Sequence, residues 1–239
     1  MILEEVRQRQ VDLVFAMGSL SVDFMYNNFK NQTIPVVTIC AKDPVMMKYI
    51  SDYSMKSGTN FAFTSINIPV KLQMVYFKEL LPDLKNIGIM YARNNTSAVM
   101  TQALPLKEYA KRIGVKVFDV VVEDQKNAVS ELGLKVSRAV EEMRKNDSDL
   151  KNSIFWVTGS TSVFSNFGII NQHAGSIPVI GASPSMVKGK DIPGAVMAIG
   201  VGFENNAQLA SIYAEKILNG KKKPGEFEVG VIKPARYCL

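Results

Sequence analysis

Histidine is nearly absent: His173 is the only one in 239 residues. A Ser–His–acid triad needs its histidine beside a serine at a strand end. The spacing instead puts His173 on a helix well past the nearest turn. Gly-x-Ser-x-Gly and Gly-x-x-x-x-Gly-Lys-Ser/Thr are missing, and Gly200-Val201-Gly202 lacks the third glycine of a dinucleotide fingerprint. Cysteine is limited to Cys40 and Cys238, without metal-ligand spacing. Cys40 lies in an apolar strand and reads as a small buried hydrophobe; a disulfide between the two stays open. No cluster of histidine, cysteine and carboxylates has metal-ligand spacing. No catalytic residue, metal or cofactor is therefore assigned.

Long apolar runs are lacking too: none approaches the roughly 18 residues of a membrane span. Met1 is followed by Ile-Leu-Glu-Glu, which is not a secretory signal. The net charge is +6, but the lysines are dispersed. The one tight run, Lys221–Lys223, follows a helix end at Asn219-Gly220, where cations suit the helix dipole. No nucleic-acid partner is assigned.

What is present is alternation. The chain enters on a helix-like segment, Ile2–Gln10. Apolar strands are expected at Val11–Met17, Ile34–Ala41, Phe61–Ser65, Asn86–Tyr91, Val115–Val122, Asn152–Thr158, Pro178–Ala182, Ala195–Gly202 and Phe227–Val231. Helical spacing falls between them: Ser19 or Ser21 to Lys30, Pro44 to Lys56, Val70–Leu81, Ser97–Ile113, Asp124–Lys145, Ser160 to Ala174, a short helix from Ser183 to Val187, and Glu204–Leu218. Strand–helix alternation means α/β architecture, with parallel sheets covered by helices on both faces. One unit is used twice. Val14–Met17 runs into Gly18-Ser19-Leu20-Ser21 and Phe155–Thr158 into Gly159-Ser160-Thr161-Ser162; an Ile-Pro-Val run follows each at a similar interval, Ile34-Pro35-Val36 and Ile177-Pro178-Val179. The repeat predicts two similar doubly wound lobes.

Ligands of open parallel sheets bind outside the carboxyl ends of the strands. Those ends carry Ser19, Ser21, Lys42, Asp43, Ser65, Asn67, Tyr91, Asn94, Thr158, Ser160, Thr161 and Ser183. Hydroxyls and free amides there can hold a carboxylate or phosphate, and Tyr91 and Phe203 can pack on a flat ligand. Serine and threonine at such positions are also the preferred helix caps, a competing reading for Ser19, Ser160 and Ser183.

Several segments carry a family resemblance: Val11-Asp-Leu-Val-Phe-Ala-Met-Gly18, Ile34–Pro44, Leu80-Leu-Pro-Asp-Leu-Lys-Asn-Ile-Gly-Ile-Met-Tyr91, Ile177–Ser183 and Ala210–Gly220. Together they resemble the substrate-binding proteins of ABC importers, in the subfamily that includes aromatic amino-acid binders, with the type I periplasmic-binding-protein fold. The resemblance implies two lobes joined by a hinge, 1–65 plus 194–220 and 66–193 plus 221–239, that trap a small ligand between them. Chain crossings are implied near Ser65–Ile68, near Asp191–Gly194 and after Gly220. It implies further strands and a signal peptide ahead of Met1, a periplasmic or extracytoplasmic location, and an ABC permease as partner. A ligand-sensing domain of a receptor or regulator is the alternative on the same fold. By the same resemblance, Ser19 and Ser21 match a ligand-contacting loop of the first lobe. Tyr91 with Ser97, and Thr158 with Ser160 and Thr161, match loops of the second. Relatives often carry an Asp in the loop of Thr158, and Gly-Ile-Asp-Tyr where this chain has Gly200-Val-Gly-Phe203. The acids that would hold an amino group are missing, so the ligand is expected to be neutral or anionic rather than an ordinary α-amino acid.

Overall fold

The computed structural model describes residues 2–8, 11–189, 192–232 and 235–238. In chain order the elements are α1 Ile2–Gln8, β1 Val14–Met17, α2 Gly18–Phe29, β2 Val36–Ile39, β3 Phe61–Ala62, β4 Thr64–Ser65, α3 Val70–Leu80 and β5 Asn86–Ala92. Next come α4 Thr96–Ala98, a π-turn at Val99–Ala103, α5 Leu104–Arg112, β6 Lys116–Val122, α6 Ala128–Arg144, β7 Ser153–Val157, α7 Thr161–Phe164 and α8 Phe167–Ala174. The last are β8 Val179–Gly181, a 3-10 turn at Pro184–Met186, β9 Met197–Gly200, α9 Phe203–Leu218, β10 Gly230–Val231 and β11 Ala235–Cys238. The C-terminal end of the expected Ile2–Gln10 helix and part of the crossing expected near Asp191–Gly194 lie outside the described residues.

The chain forms two compact units. Unit 1 is Met1–Asn67 with Gly202–Lys233, and unit 2 is Ile68–Val201 with Pro234–Leu239. Two of the expected boundaries move. Met197–Gly200 pairs with Val179–Gly181 and so belongs to unit 2 rather than to the first lobe. Gly230–Val231 pairs with Thr64–Ser65 and so belongs to unit 1 rather than to the second.

Unit 2 holds a six-stranded sheet ordered β11-β9-β8-β7-β5-β6. Every pairing is parallel except β11 against β9, an edge strand unforeseen in the sequence. Period-2 alternation sends Ile87, Ile89, Tyr91, Ile154 and Trp156 to one face, where α3 and α5 cover them. Met90, Ala92, Phe155 and Val157 go to the other, under α6 and α8. The α6 residues Leu132, Val136, Ala139 and Met143 recur at helical spacing and are all buried. The long helix expected over 97–113 is interrupted by the π-turn just before Pro105. Proline has no N–H for the carbonyl four residues back, and the wider turn absorbs the clash.

Unit 1 holds a parallel sheet ordered β1-β2-β3 and a parallel pair β10-β4. Val36, Phe61 and Phe63 pack with Val22, Met25 and Phe29 of α2. Val37, Ile39 and Ala62 pack with Ala210 and Ala214 of α9. The helix expected from Pro44 to Lys56 does not form. That segment is a series of turns, with Lys48 at φ 62° and the Asp52 carboxylate accepting from the Ser54 amide and hydroxyl. Such local side-chain bonds compete with the helical ladder.

Gly88 is the most closely packed glycine of the unit 2 sheet. A Cβ there would sit 2.2 Å from the Phe155 ring and 2.8 Å from Met143 Cε, both fully buried. Gly88→Ala is expected to cost about 1–3 kcal/mol, read as a lower urea midpoint at unchanged slope; an unchanged midpoint would contradict this packing.

Candidate ligand-binding site

In unit 1, β1 ends at Met17, and Gly18, at a φ of +77°, lets the chain turn directly into α2. Met17 is the cap residue, and no side chain caps this helix. Ser19 does something else: its Oγ accepts from the Lys42 amide at 3.1 Å, tying the end of β1 to the end of β2. Ser21 is exposed on α2. After β2 the chain passes through Cys40 at φ +51°. Its amide donates to Asn206 Oδ1 at 2.7 Å, and its thiol, pushed up in pKa by burial, lies 3.5 Å from the Phe203 carbonyl oxygen. Asn206 is fully buried on α9, accepts also from the Thr64 hydroxyl at 3.1 Å, and donates to the Ser65 carbonyl. The sequence reading passed over it. The signal was its place in register with Ala210 and Ala214, a polar side chain on a helix's apolar face. Phe203, at the start of α9, is 42% exposed.

Lys42 and Asp43 are neighbours with opposite fates. Asp43 is 1% exposed. Its Oδ1 accepts from the amides of Val45 and Met46 at 2.9 and 3.0 Å. Its Oδ2 accepts from the Tyr53 hydroxyl and, at 3.0 Å, from Asn67 Nδ2. This carboxylate is spent on holding the turns after β2 together and on tying them to Asn67, just past β4. Burial, then the bond to Asp43, raises the Tyr53 pKa. Ser65 accepts from the Asn67 amide at 3.1 Å, and Asn67 Oδ1 is buried without a hydrogen-bond partner among the described residues. Lys42 is partly buried, and its ammonium has no ion-pair or hydrogen-bond partner among the described residues. Desolvation lowers its pKa to about 8.

In unit 2 the structure brings Thr158 and Ser160 together. Their hydroxyls are 3.1 Å apart, and both residues are fully buried. Ser160 sits at the cap position of α7 yet makes no side-chain cap bond; its Oγ accepts from the Ala92 amide at 3.2 Å. The Gly159 amide donates to Gln102 Oε1 at 2.9 Å. Gln102 is another buried polar group that the sequence reading missed, hidden inside an apparently regular helix. Ser97 donates to Asn95 Oδ1 at 3.0 Å, and Asn95 is the true cap of α4. Ser183 lies 3.0 Å from the Ser185 hydroxyl and also makes no side-chain cap bond. Capping therefore does not account for Ser19, Ser160 or Ser183. Asn94 and Thr161 are exposed.

Tyr91 does not join this group. It packs in the cluster of Ile87 and Ile89, and its hydroxyl meets Asp119 at 3.0 Å and Lys107 at 3.1 Å. His173 is bonded through Nδ1 to Ser137 at 2.8 Å, with its ring against Gly133, on α8 and α6 rather than at a strand end.

Asn206→Ala strands the Cys40 amide, and Ser160→Ala strands that of Ala92. Each is expected to cost about 1–3 kcal/mol, measured by urea unfolding. A second expectation concerns Lys42, whose folded pKa lies below its ordinary 10.5. The unfolded chain then binds more protons between pH 8 and 10.5, and stability rises with pH in that window. Below pH 8 the ammonium carries its full desolvation cost. Lys42→Met should raise the melting temperature by a few degrees at pH 7, and this gain should vanish toward pH 10.5.

Residues 1–239 match the family model described as ABC transporter substrate binding protein. No curated protein matches the sequence. Among solved structures, an ABC domain from Streptococcus pneumonia in complex with L-Trp is 19% identical at a TM-score of 0.77, with 98% of this chain and 75% of that one covered. A conserved domain protein from Vibrio cholerae O1 is 22% identical at 0.75, covering 99% and 74%. The ligand-free, open form of a substrate-binding protein with adhesive properties from Clostridium difficile is 25% identical at 0.66, covering 98% and 73%. The fold is the type I periplasmic-binding-protein fold. With its whole length matched, the chain belongs to the ABC transporter substrate-binding protein family.

Proposed function

We propose that this chain captures a small neutral or anionic solute outside the cytoplasm and delivers it to the permease of an ABC importer. It is a binding protein rather than an enzyme. Thr158 and Ser160 in unit 2, and Ser19 and Lys42 in unit 1, are the groups offered for binding. The carrying observation is that the one carboxylate among the proposed binding residues, Asp43, is fully engaged by the chain's own donors. An α-amino acid would bring an ammonium with no such partner, and burying one unpaired is costly. A LacI family transcriptional regulator from Bifidobacterium animalis, 9% identical at a TM-score of 0.62, has the same fold. It gives substance to a ligand-sensing role as the second reading.

Calorimetry with L-Trp, L-Phe and L-Tyr is expected to show no binding at micromolar concentration; a micromolar Kd for any of them overturns the ligand class. A thermal-shift screen over organic acids, amides, sugars, nucleosides and amino acids finds the solute, because a ligand of the folded form raises apparent stability. Uptake of that solute should fall to background in cells lacking the protein and return on its re-expression. Unaltered uptake would leave the sensing role.

A further inference from the structure

We infer that Gln102 is a specificity-determining residue of this binding protein, its side-chain amino group donating to a carbonyl oxygen of the solute. This rests on the solute-binding reading above and names the chemical group that the strand ends of unit 2 recognise.

Gln102 sits on the π-turn between α4 and α5, where Thr101, Gln102 and Ala103 are all buried. A π-turn adds a residue to the helical ladder and re-aims the side chains it carries. Here Gln102, 5% exposed, reaches the turn that leaves β7. The Gly159 amide can only donate, so it is the oxygen of the Gln102 amide that faces it, at 2.9 Å. The amino group then points away from Gly159. It carries two N–H donors with no partner among the described residues, and it is not sealed from solvent. Its neighbours on the same stretch are committed. The Thr101 hydroxyl donates to the Ser97 carbonyl at 2.7 Å, and the Ser97 hydroxyl donates to Asn95 Oδ1 at 3.0 Å.

On either side of Gly159 stand Thr158 and Ser160. Their two hydroxyls share one bond of 3.1 Å, and Ser160 Oγ also accepts from the Ala92 amide. Whichever hydroxyl donates, one proton of the pair has no acceptor among the described residues. No acidic residue falls in 95–102 or 157–161. The uncommitted groups around Gly159 are therefore donors, one amino group and one hydroxyl proton. Such a set matches a ligand oxygen that accepts and leaves an ammonium unpaired. A carboxylate and a primary amide both present that oxygen, and neutral donors suit either.

Gln102→Glu separates the two ends of this side chain. It keeps an oxygen for the Gly159 amide and replaces the amino group by an acceptor. The test uses the full chain with lactate, butyrate, phenylacetate and 3-phenylpropionate, their primary amides, and the matching alcohols and amines, alongside sugars and nucleosides, by thermal shift and then calorimetry. At least one carbonyl compound should bind about tenfold or more tightly than its alcohol or amine. The acid and amide of each set distinguish a charged carbonyl from a neutral one. Gln102→Glu should lose about tenfold for that compound, with the urea midpoint little changed. Gln102→Met has similar length and no charge; it should lose the same binding, and its lower urea midpoint reports the stranded Gly159 amide separately. The assignment is overturned if Gln102→Glu binds the compound as tightly as the native protein, which leaves Gln102 a structural tie alone. It is overturned equally if every compound bound lacks a carbonyl oxygen. Silence from the whole panel would instead overturn the solute-binding reading itself.

Discussion

A parallel strand that runs into a loop leaves backbone amides and carbonyls with no ladder partner, and buried groups of that kind must be satisfied. This chain satisfies them with side chains, and much of its polar architecture follows. Asn206 takes the amide after β2, Ser160 the amide at the end of β5, Gln102 that of Gly159, and Ser19 that of Lys42. Each bond joins two strand ends, or a strand end to a helix, that are far apart in sequence. The carboxyl edge of each unit is thereby fixed before any ligand arrives, which lowers the ordering cost of binding.

That arrangement sorts the polar residues into those already spent and those left over. Asp43 is spent on four neutral donors, which solvate its charge in place of water and without a counter-ion. Lys42, one residue earlier, is left over. In the sequence the pair reads as a charge-balanced dipeptide. In the structure the carboxylate has its donors inside the chain, while the Lys42 ammonium has no partner among the described residues.

The architecture was legible in the sequence because apolar alternation and helix punctuation repeat along the chain. Family-bearing segments such as Leu80–Tyr91 gave the fold. What was not legible has particular causes. The turns after Pro44 resemble a helix start until the Asp52 carboxylate is seen accepting from the Ser54 amide and hydroxyl. Met197–Gly200, expected in the first lobe, is put in unit 2 by its register with β8. Tyr91, expected as a ligand residue, aligns in period 2 with Ile87 and Ile89 on a face that α3 and α5 cover, and its hydroxyl is engaged by Asp119 and Lys107. Of the strand-end residues, the serines were recognised for their position but not for their bonds. Asn206 and Gln102 were missed because helical spacing was read for its apolar members only.

The chain crosses between its units more than once, so unit 1 is assembled from two segments separated by nearly all of unit 2. Val37, Ile39 and Ala62 have no cover on one face until α9 supplies Ala210 and Ala214. During synthesis from the N-terminus, unit 2 has almost all of its strands while unit 1 still lacks a layer. The interior unit can therefore fold on emergence, whereas the outer one waits on residues made more than a hundred positions later. Its half-covered sheet is the interval in which nascent chains are most exposed to wrong pairing, and to the chaperones that shield such edges.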